Sequence, residues 1–288
     1  MIDESTDFSY AVPKDGRFKQ LAIRSIERLT GQKRLRRLYL EQQAIGYSER
    51  NFWATAIQAL ELRLAYSEQA LAQVPATGPL VVVANHPYGV LDGIMISHLV
   101  SQRRGDFRVL ANGVLYRSPE ARPYILPIDF NESQEALATN LESRRIAINW
   151  IRDGGALVIF PGGTVSTARK AVGPAVDPRW KPFTAKLIHA GRATVVPICF
   201  VGQNSRLFQV ASHLSTTLRL SLLFREVANK IGSTQRIEIG EPLAYQDLMA
   251  IKDRQHLMDD LRRRVYALHP HATNPRRARR LSRYYKVA

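Results

Sequence analysis

The sequence predicts an α/β protein with a largely parallel, mixed sheet that is covered by helices on both faces. Five short apolar runs, typical of buried strands, alternate with longer segments in which apolar residues recur at helical spacing. Continuous apolar runs are typical of parallel strands buried on both faces. The 288 residues are 45% hydrophobic, which suits a globular protein with a sizeable core. The predicted strands are 80–85, 107–112, 156–161, 194–201 and 236–240.

The N-terminal segment is predicted to contain a basic amphipathic helix over residues 18–30. Its apolar side chains form one helical stripe, and Gly31 is a plausible stop. Such a helix either packs on its own domain or lies at a membrane interface, and the sequence leaves both alternatives open. A second helical stretch, about 49–72, ends before a turn rich in Pro and Gly. The stripe consists of Phe18, Leu21, Ala22, Ile26 and Leu29.

The net charge of +16 is concentrated at the two ends of the chain. Residues 17–37 contain eight Lys or Arg and one acid, and residues 262–286 contain nine basic residues and no acid. These two segments account for the whole excess. A surface that meets anionic lipid or nucleic acid would need such charge, whereas a generic globular domain would not.

Three segments are expected: a basic, membrane-facing helical segment 1–72, a core 73–248, and a C-terminal helix with an arginine-rich tail, 249–288, packed with the core as one domain. The first ten residues lack the apolar region of a secretory signal. No stretch offers the ~20 apolar residues that a membrane-spanning helix needs. The single cysteine, Cys199, lies in an apolar run and is expected to be a buried, inert thiol, so the expected compartment is the cytoplasm.

The first core strand runs directly into a histidine, and an aspartate follows six residues later. Pro87 discourages continuation of the strand beyond His86, and Gly89 lets the chain turn before a helix that begins near residues 91–93. Asp92 can then accept a hydrogen bond from one imidazole nitrogen and leave the other free to take a proton. A structural histidine at a strand end is an equally good interpretation when this pair is considered alone.

Two further helices are predicted in the second half of the chain. Leucine and isoleucine recur near helical spacing over 133–152, where Ser133 can cap the start and two glycines follow the end. Pro182 suits the first turn of a helix over about 182–191. These helices separate the later strands, as an α/β fold requires.

Three motifs in register resemble those of the glycerolipid and lysophospholipid acyltransferase family. They are "NHPYGVLDG" after the first core strand, "VIFPGGTVST" at 158–167, and "ATVVPICFVG" at 193–202. The resemblance covers about residues 75–245. With its longer spacing between His and Asp, the first motif is most similar to a bacterial subgroup that includes hemolysin-like and lyso-ornithine lipid acyltransferases.

The resemblance implies transfer of an acyl group from coenzyme A or acyl carrier protein to a hydroxyl of a membrane lysolipid, either a lysophospholipid or lyso-ornithine lipid. No metal and no resident cofactor are expected. His86 would be the general base and Asp92 would hold its tautomer. Backbone N–H groups of the glycine-containing loop would stabilise the oxyanion or bind the acceptor. The residues implied to bind substrate are Asn85, Gly89, Asn112, Pro161, Gly162, Gly163, Thr164 and Ser166.

The sequence departs from the family pattern where charged residues are expected. Gly162 stands where the family has Glu, Val165 where it has Arg, and Asn112 and Phe130 where many relatives carry phosphate-binding cations. A dianionic head group favours charge-assisted contacts, so the acceptor is expected not to be lysophosphatidic acid or glycerol 3-phosphate. Four other cations could substitute, although each fits a solvated surface position: Arg117, Arg122, Arg169 and Lys170.

The expected partners are therefore an anionic membrane surface, a lysolipid and a thioester of acyl carrier protein or coenzyme A. The protein would lie peripherally or monotopically on the cytoplasmic face of the inner or plasma membrane, where each nearby Lys or Arg contributes about 1 kcal/mol of binding free energy.

Nucleic acid is a less favoured partner, because no recognised binding module accompanies the basic tail. A serine esterase is disfavoured by the absence of a G-x-S-x-G motif. The remaining alternative is a non-catalytic lipid-binding protein that retains the fold, which the glycine at position 162 motivates.

Overall fold

The computed structural model describes residues 16–29, 31–45, 52–113, 116, 118–131, 133–170 and 173–270. The helices are α1 Arg17–Leu29, α2 Gln32–Ile45, α3 Phe52–Ala59, α4 Glu68–Ala72, α5 Val90–Ser101, α6 Gln134–Arg152, α7 Phe183–Gly191, α8 Arg206–Leu214, α9 Thr216–Ser221, α10 Leu223–Ala228, α11 Tyr245–Leu248 and α12 Arg254–Ala267. The strands are β1 Arg63–Ala65, β2 Leu80–Ala84, β3 Phe107–Asn112, β4 Ile125–Ile128, β5 Ala156–Ile159, β6 Thr167–Ala168, β7 Ala175–Val176, β8 Thr194–Val201 and β9 Thr234–Ile239. The predicted arginine-rich tail lies largely outside these residues.

Seven strands form one mixed sheet in the order β1-β9-β8-β2-β5-β3-β4. The five strands from β8 to β4 are parallel to one another, and β9 joins β8 in antiparallel register with β1 parallel to it at the edge. Strands β6 and β7 form a separate antiparallel pair. The predicted fold class, a largely parallel sheet flanked by helices, is confirmed.

Strand β2 lies in the middle of the sheet, and all five of its residues are fully buried. Successive side chains point to opposite faces of a strand, so the run is apolar throughout. Val82 and Ala84 pack with α3 and α5, whereas Val81 and Val83 pack with α6, α7 and α12. The segment that follows this strand therefore leaves the buried centre of the sheet.

All five predicted strands are present, with ends shifted by no more than two residues. Ser133 caps α6 as predicted, because its side chain accepts a hydrogen bond from the N–H of Ala136. The prediction of one helix over 49–72 is wrong. The segment instead contains α3, the edge strand β1 and α4, because Glu61, with φ of 51°, turns the chain and lets residues 63–65 pair with β9.

The basic helix predicted near the N-terminus is present as α1, but its buried face differs from the predicted stripe. Ile23 and Glu27 are buried, whereas Leu21 is 70% exposed. The reason is that α1 packs beside α9, and Ile26 joins a small core with residues of α8 to α10. The side chains of Phe18, Ala22 and Leu29 lie outside the described set.

Helices α8 to α10 form a wall that stands on one side of the sheet. Ser205, at the start of α8, links this helix to α10. Its N–H and hydroxyl donate to the two carboxylate oxygens of Glu226 at 2.7 and 2.6 Å. Phe208 and Leu223 are buried inside the wall, whereas three apolar side chains of α8 remain outside it. In the described part of the chain, no helix combines the length and the apolar character needed to cross a membrane.

The buried guanidinium of Arg104 connects three loops at the amino ends of the strands β2, β3 and β5. Both oxygens of Asp106 accept from it at 2.6 Å, and the carbonyls of Gly78 and Gly154 accept at 2.9 Å. The side chain is only 2% exposed. Loss of the guanidinium would leave these acceptors without a donor.

We expect Arg104→Ala to lower the free energy of unfolding by about 2–4 kcal/mol, measured by urea denaturation at neutral pH. Hydrogen bonds from Arg104 lower the pKa of Asp106. The contribution of the pair is therefore present above the unfolded-state pKa, about 3.9, and is lost as the pH falls through the lower folded-state pKa. Arg145→Ala, which breaks an exposed ion pair with Glu142, is the control and should change nothing measurable. Equal effects of the two substitutions would contradict this assignment.

Candidate active site

A cleft of about 600 Å³ opens at the carboxyl ends of the central parallel strands. His86 follows β2, the loop 160–165 follows β5, and Asn112 ends β3, and all three border the cleft. Ligands of open α/β sheets bind at this edge, where the loops that follow neighbouring strands converge. The volume lies within the range of small-molecule sites.

The imidazole of His86 and the carboxylate of Asp92 form the polar centre of this cleft. Nδ1 of His86 lies 3.0 Å from Oδ2 of Asp92; the distance suits a hydrogen bond, although the approach is not aligned as one. Hydrogen bonds of catalytic groups often tighten only when substrate binds. The His86 side chain is 18% exposed and stacks on Phe160, with ring centroids 4.2 Å apart. The Asp92 side chain is fully buried.

Asp92 also fixes the turn that carries the histidine. Its Oδ2 accepts hydrogen bonds from the N–H groups of Tyr88 at 2.8 Å and Gly89 at 2.9 Å. Burial raises the pKa of Asp92, and the imidazole and the two N–H groups oppose that effect. Gly89 has φ of 77°, and a Cβ there would lie 2.9 Å from Cδ2 of Leu223. Only glycine fits this turn without strain.

A second buried carboxylate, that of Asp177, joins the loops around the cleft, and the sequence did not indicate it. Its Oδ1 accepts from the backbone N–H of His86 at 3.1 Å and from the hydroxyl of Ser166. Its Oδ2 accepts from the indole N–H of Trp180 at 2.8 Å. Asp177 is 2% exposed, and this buried carboxylate holds the backbone of His86, whereas Asp92 contacts its imidazole.

Asp177 also occupies the space beside Gly162. A Cβ at position 162 would lie 3.2 Å from Cβ of Asp177 and 3.4 Å from Cδ of Pro178. A larger side chain at 162 would require the segment 177–178 to move. Gly162, which stands where the family motif has Glu, therefore lies against the carboxylate-bearing residue Asp177 from another part of the chain.

The structure brings most of the predicted site residues together at the cleft. His86, Gly89 and Asn112 line it, as do residues 161–164 of the loop. Asp92 and Ser166 are buried behind the lining, and the N–H of Ser166 donates to the carbonyl of His86 at 2.8 Å. Asn85 does not border the cleft, because its amide bonds to both backbone groups of Phe200, at 2.9 and 2.7 Å. Its predicted role in substrate binding stays a prediction.

Three of the cations that the sequence offered lie away from the cleft. Arg122, Arg169 and Lys170 do not border it, and Arg117 lies outside the described residues. Four other cationic side chains line it, and they come from segments with no motif: Arg144, Arg179, Lys181 and Arg219.

Neither a thiol nor a metal cluster lies among the described residues of this site. Cys199 is fully buried in β8, and burial raises its pKa, as expected for an inert thiol. Across the described ranges, no group of three or more His, Cys, Asp or Glu side chains could hold a metal ion.

Comparisons with known proteins agree with these motifs. A family model described as "Acyltransferase" matches residues 22–273. Lyso-glycine lipid O-acyltransferases of Phocaeicola vulgatus and Bacteroides thetaiotaomicron are 27% and 25% identical to this chain over 186 residues. Each match covers 62% of this chain and 64% or 65% of the relative, a little under two thirds of its length. The relatives are thus named for lyso-glycine lipid and not for lyso-ornithine lipid.

A solved structure also resembles the chain. The crystal structure of the 1-acyl-sn-glycerophosphate (LPA) acyltransferase PlsC from Thermotoga maritima is 15% identical, with a TM-score of 0.49. The match covers 76% of this chain and 78% of that one.

We expect Asp177→Ala to lower the free energy of unfolding by about 3–5 kcal/mol, because three buried donors lose their acceptor. Asp177→Asn keeps the shape and one acceptor oxygen, so its loss should be smaller. Chemical denaturation of the three proteins at one pH measures both effects. An Ala variant as stable as the wild type would show that Asp177 does not hold these loops.

Proposed function

This chain belongs to the acyltransferase family, and we propose that it transfers a fatty acyl group from a thioester to a hydroxyl of a membrane lysolipid. The observation that carries the proposal is the pair formed by His86 and the fully buried Asp92, 3.0 Å apart at a cleft of substrate size. The names of the two curated relatives support a lysolipid acceptor.

In the proposed reaction His86 is the general base. Nδ1 faces Asp92, so Nε2 takes the proton of the acceptor hydroxyl while that oxygen attacks the thioester carbonyl. The tetrahedral intermediate collapses, the carbon–sulfur bond breaks, and the departing thiolate takes the proton from the imidazolium. The products are an ester and the free thiol of coenzyme A or acyl carrier protein. Asp92 stabilises the imidazolium that forms in between.

The loop after β5 has backbone donors available for the oxyanion. The N–H of Gly163 bonds to the carbonyl of Phe160, and that of Ser166 bonds to His86. The N–H groups of Gly162 and Thr164 make no hydrogen bond to the described residues. Donors aimed at a developing oxyanion are each worth about 3–4 kcal/mol of barrier in well-studied enzymes.

A second, almost entirely apolar cavity gives room for part of a fatty chain. It measures about 160 Å³, lies among α2, α3, α5 and α10, and shares Val90 with the cleft of His86. Val90 is the first residue of α5, directly after the turn held by Asp92. An acyl chain bound there would therefore begin beside the catalytic pair.

The acceptor is proposed to be an amino-acid lipid. The expected acidic and basic residues of a glycerol phosphate site are absent at Gly162 and Val165. Lyso-glycine lipid, for which the relatives are named, is the first choice, and lyso-ornithine lipid is the second.

The protein is proposed to act while bound peripherally to an anionic membrane. Helix α8 carries an exposed apolar stripe, with Leu207, Val210 and Leu214 being 49%, 40% and 73% exposed. These residues recur at helical spacing, and Leu21 on the basic helix α1 is also exposed. Apolar insertion combined with basic charge is typical of interfacial helices.

We expect His86→Ala to lower the rate of acyl transfer by about a hundredfold or more, because the general base is lost. The assay uses acyl-ACP or acyl-CoA with a panel of lysolipids. His98→Ala is the matched control, because His98 lies on α5 but does not border the cleft. Turnover that survives His86→Ala would exclude the base. A wild-type protein that binds liposomes but transfers nothing over the whole panel would favour the non-catalytic alternative.

We expect the double substitution Leu207→Gln and Leu214→Gln to weaken binding to phosphatidylglycerol vesicles by about tenfold or more, since less apolar surface enters the bilayer. Co-sedimentation measures the binding. Leu137→Gln with Leu141→Gln is the control, because these leucines of α6 are exposed to a similar degree, 58% and 55%. An equal loss in both double variants would show that α8 has no special role.

A further inference from the structure

The cleft of His86 carries positive charge that the described residues neutralise only in part. Among its described lining residues there are four cationic side chains and no carboxylate. Arg179 is paired with Asp259 just outside the lining, at 2.7 Å. Arg144 is exposed and lies over the ring of Phe183, 5.1 Å from its centroid. Lys181 and Arg219 remain without an acidic partner in the described part of the protein.

Arg219 differs from the other three because its guanidinium is partly buried. Burial lowers its pKa, and no carboxylate in the described residues offsets that effect. A buried cation without a partner is costly, so such groups are normally paired. Its five donors in a planar fork suit a carboxylate or phosphate.

The position of Arg219 places it near the catalytic pair. Arg219 lies four residues before Leu223, and the chain between them keeps helical hydrogen bonds, such as that from Leu222 N–H to the carbonyl of Leu218. Arg219 and Leu223 both border the cleft that His86 lines. Leu223 packs against Gly89, in the turn that carries His86.

Lys181 approaches the cleft from the loop side. A Cβ at Gly163 would lie 3.2 Å from its Nζ, so the ammonium stands against the loop that follows β5. The two unpartnered cations therefore come from separate elements, the α9 wall and the segment before α7, and they border one cavity.

We infer that Arg219, assisted by Lys181, binds the anionic group of the acceptor's head group, a carboxylate in an amino-acid lipid. This inference rests on the proposed function. The acceptor hydroxyl must reach His86, so a head-group anion lies within the same cleft. The phosphates of coenzyme A and acyl carrier protein are separated from the thioester by the whole pantetheine arm. The planar fork of Arg219 suits a single carboxylate, and the two curated relatives are named for an amino-acid lipid.

The test compares Arg219→Gln with the wild type on lyso-glycine lipid and on its methyl ester, whose carboxylate is blocked. We expect the KM for the free acid to rise by about tenfold to a hundredfold, because charge-assisted hydrogen bonds are lost. The KM for the methyl ester and the KM for the acyl donor should not change. Arg169→Gln is the control, because Arg169 is exposed and does not border the cleft.

Each other outcome overturns the inference. An increase confined to the KM for the acyl donor would assign the site to a donor phosphate, and unchanged constants for all three substrates would leave Arg219 without an anionic ligand. If the wild type transfers nothing to any lysolipid, the proposed function fails independently. Calorimetric binding of the free acid and the methyl ester to the wild type and to Arg219→Gln then decides whether the anion site exists.

Discussion

The carboxylate of Asp92 is the constraint on which the rest of the site depends. It is fully buried at the first turn of α5, and the burial of a carboxylate is costly unless hydrogen-bond donors offset it. Two of these donors are the N–H groups of Tyr88 and Gly89, so the chain after β2 has to curl around it. The same curl brings the imidazole of His86 to 3.0 Å. The same carboxylate oxygen thus stabilises the turn and orients the histidine.

The sequence predicted those features that arise from local patterns. Continuous apolar runs identified the central strands, and the histidine followed by glycine and aspartate predicted that His86 and Asp92 lie close together. The sequence did not predict β1, because residues 63–65 are largely exposed and pair with β9, which is distant in the sequence. Burial of Ile23 in place of Leu21 on α1 was also unpredictable, since the face that packs depends on the position of α9. In both cases the deciding contact is far away in sequence.

Asp177 shows why the site itself was only partly predictable. In the sequence it is a single acid beside a proline, which is typical of an ordinary loop. Its importance follows from where the β6 and β7 pair directs the chain, which places the carboxylate between His86 and Ser166. Gly162, where the family has an acid, and Asp177 are neighbours in space, although they are 15 positions apart in the chain.

The wall formed by α8 to α10 presents one side to solvent and the other to the cleft. Its outer stripe is apolar, and its inner side carries Arg219. The hydrogen bonds between Ser205 and Glu226 tie these helices into one unit. Under the proposals above, bilayer contact and acceptor capture act on a single element, so any free-energy coupling between them is reciprocal. Lipid composition would then tune the apparent affinity for the acceptor, and a bound acceptor would strengthen membrane attachment by the same factor.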